Sequence, residues 1–251
     1  MALHPHQYFS DHSDLYAQAR PRYPDRLFKY LAEQCQETEC AWDCGTGSGQ
    51  SAISLARYFS RVDATDVSRE QIVNAVEHPQ VRYAVEPAEK TAFPDASFDL
   101  ITVAQALHWF DFAKLWPEVQ RTLKPGGIFS AWAYTWFHVS ERVDAVVERD
   151  LLEPIRRYWA PQNRLAWDGY RNVFFPFEEL AVPEIQMNLA WNVDELVAYV
   201  RTWSATRRYI EANGQEFLEG FADRVKGAWG DLGVRKPVSM EFFMRVGRLG
   251  T

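Results

Sequence analysis

The chain has 251 residues, 47% hydrophobic and 24% charged, the composition of a folded globular protein long enough to bury a core without disulfide or metal staples. Its 27 basic and 34 acidic side chains leave a net charge of −7, which excludes the whole-molecule basic footprint of a nucleic-acid binder. No run approaches the ~20 apolar residues of a membrane span, and the three cysteines (Cys35, Cys40, Cys44) form no C-x-x-C pair, so a reducing cytoplasm is expected.

Met1 to Ser10 lacks the basic-then-apolar layout of a signal peptide. Pro24 and Asp25 open a helix that carries Leu27, Tyr30 and Leu31 at helical spacing to about Gln34. Cys40 to Cys44 reads as a buried strand. Ala52, Leu55, Ala56 and Phe59 then mark one face of a helix. Val62 to Thr65 is a second strand, closed by Asp66, and Ser68 with Gln71 suggests a capping box. Strands follow at Val81–Val85, Phe98–Ala104 and Ile128–Ala133, with a helix over Phe112–Leu123 and a turn at Pro125-Gly126-Gly127. This alternation is the βαβ signature of a parallel sheet. Beyond Tyr134 the rhythm changes. A helix over 141–159 is interrupted near Pro154, helices are expected over 194–210 and 215–229, and strands over 184–191 and 238–246 suggest an antiparallel pair at the sheet edge.

The most informative stretch is Asp43-Cys44-Gly45-Thr46-Gly47-Ser48-Gly49. Alternate glycines let the backbone turn sharply and approach a ligand where a Cβ would clash. An acid at the end of the next strand, Asp66, can accept hydrogen bonds from both hydroxyls of an adenosine ribose. The spacing separates cofactors. A dinucleotide fingerprint needs glycine at position 50, which is Gln50, and no lysine follows as in a phosphate P-loop. The pattern therefore suits an adenosine without a pyrophosphate. The alternatives are a merely tight structural turn, a non-catalytic nucleoside-binding protein or an NAD-linked reductase.

With these residues in place, the chain resembles the class I S-adenosylmethionine-dependent methyltransferases. The likeness runs through the glycine loop, Asp66, Ala88-Glu89, Phe98-Asp99-Leu100-Ile101 and Leu123-Lys124-Pro125-Gly126-Gly127. Tyr16-Ala17-Gln18-Ala19-Arg20-Pro21-Arg22-Tyr23-Pro24, Ala104 to Asp111 with its His-Trp-Phe-Asp end, and Thr202-Trp203-Ser204 are similar to the small-molecule branch related to trans-aconitate methyltransferases (methyltransferase type 11-like). Glu86-Pro87 departs from the Gly-Asp of many relatives.

The resemblance implies a single α/β domain over 1–251. It would hold a Rossmann-like, seven-stranded, mostly parallel sheet with an antiparallel edge strand, an N-terminal lid over 1–27 and a helical cap from 134–177 and 192–236. It implies S-adenosylmethionine as cofactor and S-adenosylhomocysteine as product, bound by Asp43, Gly45, Thr46, Gly47, Asp66, Val67, Ala88, Glu89, Gln105 and Trp109, with Tyr16 and Arg20 at the methionine end. No metal is expected. The partner is a small-molecule methyl acceptor, not a nucleic acid or a membrane. Direct in-line transfer is expected, to a carboxylate or another oxygen or nitrogen. A carboxylate is already ionised and needs no base; for a hydroxyl or amine, His108 is the candidate. His108 otherwise packs or orients. Trp136, Trp159, Trp167 and Trp203 are candidates for pocket wall or core, as are Trp132, Tyr134 and Trp191. Of the basic pairs Arg156-Arg157, Arg207-Arg208 and Arg235-Lys236, most are expected on solvated surface, with a remainder available to anionic small molecules.

Overall fold

The computed structural model describes residues 20–250. Tyr16, His4, His6, His12 and most of the expected lid lie outside the described residues. Five parallel strands, β1 (Cys40–Cys44), β2 (Arg61–Asp66), β3 (Val81–Val85), β4 (Phe98–Ala104) and β5 (Leu123–His138), form the centre of one sheet. Its order is β3-β2-β1-β4-β5-β8-β6. The last strand, β8 (Lys236–Arg248), runs antiparallel to β5. The strand expected over 184–191 is β7 (Met187–Trp191), and a further two-residue strand, β6 (Glu178–Glu179), also pairs to β8, which makes eight strands instead of seven. Pro183 lies between the two and cannot donate to the ladder.

Helix α1 (Asp25–Gln34) buries Leu27, Phe28 and Leu31, and with α2 (Gln50–Leu55) covers one face of the sheet around Trp132. Thus Asp25–Leu27, expected in the lid, is the first turn of α1, and its Leu27 already belongs to the packed core. Ser68 caps the short α3 (Arg69–Val73) by accepting from the Gln71 N–H. On the opposite face, α4 (Phe112–Thr122) packs Leu115, Trp116 and Val119 against Phe129, with Tyr170 in the same cluster.

The cap has a third apolar cluster. Helix α5 (Glu141–Val147) passes through a π-helical turn (Glu148–Leu152) just before Pro154, whose missing N–H disturbs the regular ladder. Helices α6 (Asn163–Trp167), α7 (Val193–Arg201), α8 (Ser204–Asn213) and α9 (Glu216–Trp229) complete it. Val143, Leu151, Leu196 and Phe221 meet there beneath Phe137 of β5 and Met240 of β8. Residues 134–138, expected in the cap, are the end of β5, so the sheet itself reaches into the cap.

Candidate active site

The glycine loop leaves β1 and turns back over β2. The N–H groups of Gly45 and Thr46 both bond the carbonyl of Thr65 at 2.9 Å. Gly45, Gly47 and Gly49 have φ of +69°, +56° and +87°, a region that L side chains rarely adopt. A Cβ on Gly45 would lie 2.9 Å from Ala106 Cβ and 3.0 Å from Phe110 Cζ, so protein fills that space. A Cβ on Gly47 would meet no protein atom nearer than 3.8 Å, because Gly47 borders a cavity of about 310 Å³.

Asp66 fixes this loop. Its carboxylate accepts from the Gly47 N–H at 2.9 Å and from the Ser68 N–H at 2.8 Å. A carboxylate can accept about four hydrogen bonds, so this hold does not exhaust it. The cavity is mainly apolar and is bordered by Val67, Ala88, Glu89, Gln105 and Trp109. An adenosine with a sulfur-bearing tail fits this arrangement: an acid beside the ribose position, apolar walls and a glycine where the backbone must be bare.

Asp43 is fully buried and is not among the residues that border the cavity. Its Oδ2 accepts from Thr46 Oγ1 at 2.6 Å and its Oδ1 from Thr102 Oγ1 at 2.9 Å. Burial pushes its carboxyl up to about 6, against those hydrogen bonds. Asp43 therefore braces the loop from β1 to β4, and the ligand would meet Thr46 above it.

At the far end of β4, Gln105 holds φ +57°, and its side-chain N–H donates to the Tyr134 carbonyl at 2.8 Å. This kink starts a 3₁₀ turn, Leu107–Trp109, that sets His108 and Trp109 side by side with ring centroids 4.8 Å apart. Trp109 borders the large cavity; His108 points to a second one, of about 90 Å³. Arg20, Gln105, Trp109 and Tyr134 border both, and Arg20 donates to Tyr134 Oη at 3.4 Å.

The second cavity is an aromatic box. Trp136, Trp159, Trp167 and Trp203 contact one another with centroids 5.5–6.3 Å apart. Trp132 and Trp191 are core instead. Thr202, Trp203 and Ser204 all border the box, as does Arg207. Arg207 is thus the member of the basic pairs that reaches a cavity, while Arg156 is exposed and Arg235 pairs with Glu195 at 2.9 Å. Among the described residues no Asp or Glu borders this cavity, although Glu241 accepts from its Thr135 at 2.9 Å. His108 is buried, and desolvation pushes its imidazole down to about 3.

Sequence reasoning missed Tyr23, Gln71 and Phe110 on the first cavity and Asn163 and Tyr199 on the second. Tyr23 and Phe110 were recoverable, since each lies in a motif already quoted. The others come from helices whose facing depends on distant partners. Among the described residues no cluster of His, Cys, Asp and Glu could hold a metal ion, and no helix is long and apolar enough to cross a membrane.

Residues 42–131 match a family model described as a methyltransferase domain. A protein of Dictyostelium discoideum described as a methyltransferase is 34% identical over 84% of this chain and 81% of its own length. An uncharacterized methyltransferase of Mycobacterium tuberculosis is 34% identical over 45% of this chain and 46% of its own length. A solved structure described as a type II methyltransferase, from Anaeromyxobacter dehalogenans, superposes with a TM-score of 0.85 at 40% identity, covering 92% of this chain and 99% of that one. The [4+2]-cyclase SpnF also shares the fold, at a TM-score of 0.52 and 18% identity. The sheet order, the glycine loop with its acid and these likenesses lead to one conclusion: this chain belongs to the methyltransferases of the class I, Rossmann-like fold.

Proposed function

We propose that this protein transfers a methyl group from S-adenosylmethionine to the carboxylate of a small molecule. The observation that carries the proposal is the junction of the two cavities at Arg20, Gln105, Trp109 and Tyr134. Bound in the larger cavity, S-adenosylmethionine would supply an electrophilic sulfonium methyl for direct in-line transfer. The chain's part is to hold and orient. Asp66 and the backbone at Gly47 hold the ribose end. Arg20 lies at the junction, where a guanidinium can take a carboxylate. The indole box sheathes the acceptor's body and keeps water out, while Arg20 and Arg207 favour an anion there. In a protein of net charge −7, Arg20 and Arg207 on this cavity, which no acid borders among the described residues, favour an anionic acceptor. A carboxylate acceptor is ionised at neutral pH, so no proton need be removed. The acceptor is a free small molecule, not a nucleic acid, and the setting is the cytoplasm.

A fold shared with a cyclase does not by itself establish methyl transfer. Mass spectrometry of the purified protein, with calorimetry against S-adenosylmethionine and NADH, tests the cofactor. A panel of small carboxylates, alcohols and amines, read by S-adenosylhomocysteine release, tests the reaction. Release with a carboxylate is the expected result. Binding of NADH alone defeats the cofactor assignment, and nucleoside binding with no turnover on any class defeats the catalytic one.

A further inference from the structure

His108 Nδ1 lies 3.1 Å from the hydroxyl oxygen of Tyr170, and both residues are buried. The fold goes to some cost to hold that tyrosine. Helix α6 ends in a Schellman turn, with the Gly169 N–H on the Ala166 carbonyl at 2.9 Å and the Tyr170 N–H on the Leu165 carbonyl at 2.8 Å. Tyr170 itself has φ +57°, a conformation that costs a non-glycine residue ~1–2 kcal/mol. Arg245 clamps the same turn to β8 by donating to the carbonyls of Tyr170 at 2.9 Å and Val173 at 2.7 Å.

Two proton arrangements fit one such contact, and hydrogen-bond satisfaction separates them. If Nδ1 carried the hydrogen, the Tyr170 hydroxyl hydrogen would have no acceptor, because His108 is its one partner among the described residues. A buried donor left unmade costs about 1–3 kcal/mol. If the hydroxyl donates to Nδ1, both groups are satisfied and the ring hydrogen sits on Nε2. With Nδ1 taken, Nε2 is the nitrogen that His108 can offer to the second cavity it borders.

We propose that Tyr170 is a positioning residue that fixes His108 as its Nε2–H tautomer, so that His108 presents a hydrogen-bond donor, not a base, to an oxygen of the methyl acceptor. The proposal rests on the second cavity being the acceptor site. A carboxylate can accept from Nε2–H with one oxygen while the other is methylated. A neutral amine would find no acceptor on this edge of the ring. Among the described residues, the charged groups facing the same cavity are the guanidiniums of Arg20 and Arg207, with Glu241 reaching it through Thr135. The two cations and the burial favour a neutral ring.

The test is nitrogen-15 NMR of histidine-labelled protein, with and without S-adenosylhomocysteine, whose own binding is measured first by calorimetry. The wild type should show a protonated-type Nε2 and an unprotonated-type Nδ1 at neutral pH in both states, and Tyr170→Phe should shift the ring toward the other tautomer. Because the ring is read without the nucleoside too, failure of cofactor binding stays separate from failure of this proposal. Acetate and benzoate then serve as carboxylate probes. Either should displace the Nε2 resonance, His108→Gln should keep most of the probe affinity through its amide N–H, and His108→Phe should lose about tenfold, the loss of one charge-assisted bond. An Nδ1–H tautomer or an imidazolium in the wild type overturns the proposal. So does a ring unchanged by Tyr170→Phe, or an Nε2 that responds to neither probe.

Discussion

Asp66→Ala should weaken S-adenosylmethionine and S-adenosylhomocysteine to the same degree. Asp66 closes β2, and its carboxylate already orders the loop through the N–H groups of Gly47 and Ser68. The alanine variant loses any charge-assisted bond to the ribose, worth about 1.5–3 kcal/mol, which is roughly ten- to two-hundred-fold in affinity. It also leaves the Gly47 N–H without its acceptor, so the upper end of that range is expected. Asp66→Asn keeps the shape and one acceptor oxygen, and should lose about tenfold. Calorimetry with both nucleosides and with 5′-methylthioadenosine, which retains the ribose but lacks the amino-acid end, isolates the effect. All three should lose the same factor, since Arg20, at the junction of the two cavities, is untouched. A folded Asp66→Ala protein with unchanged affinity for all three would show that the ribose does not lie against β2. A loss confined to S-adenosylmethionine would place Asp66 at the wrong end of the ligand.

The two loop glycines should separate stability from binding. Gly45→Ala, whose Cβ meets Ala106 and Phe110, should lower the melting temperature, whereas Gly47→Ala, whose Cβ enters the cavity, should mainly abolish calorimetric binding of S-adenosylhomocysteine beyond an αL cost of ~1–2 kcal/mol. Asp43→Asn should change the pH dependence of stability. With the carboxyl raised from 3.8 to about 6 by burial, the fold favours the protonated acid. Its contribution is full below pH 3.8 and is lost as pH rises through 6, by about 3 kcal/mol. Urea melts should therefore show the variant gaining on the wild type from acid to neutral pH; a difference constant with pH refutes this. Arg207→Met should raise the KM of a carboxylate acceptor by roughly tenfold or more while leaving S-adenosylhomocysteine affinity unchanged in calorimetry.

The border of the first cavity was legible because it is local. Gly45, Thr46 and Gly47 are contiguous, Asp66 ends the next strand, and Gln105 and Trp109 follow β4 directly, so short apolar runs and glycine spacing were enough to bring them together. Asp43 has the type and place of a ligand contact, but its hold on Thr102, which braces it from below the loop, is visible only when β1 and β4 are paired. β5 was expected to stop at Ala133 and instead runs to His138, because β8 pairs with it from Ile128 to His138. A partner about a hundred residues away leaves no local periodicity. The helix expected over 194–210 is broken at Thr202-Trp203 for a similar reason. Trp203 adopts an extended φ/ψ of −68°/135° and packs with Phe137 and Trp159, so tertiary packing overrides helical propensity.

Gln105 and Tyr170 tie these halves together through their backbone. Both hold φ +57°, where glycine would be cheaper. Strain of this kind persists when the surroundings over-determine it, and it clusters at functional sites. In each case the side chain supplies what glycine could not. The Gln105 amide grips the Tyr134 carbonyl, which fixes the end of β4 against β5 where the cavities join. The Tyr170 hydroxyl reaches His108 on the 3₁₀ turn that Gln105 initiates. The same turn carries Trp109 toward the first cavity and His108 toward the aromatic box, so the two strained residues set the relative position of the two cavities that the proposed methyl transfer would bridge. A misplacement of about 1 Å between reacting groups can cost a hundredfold in rate, about 2.7 kcal/mol, which is on the order of the backbone strain that these two residues carry.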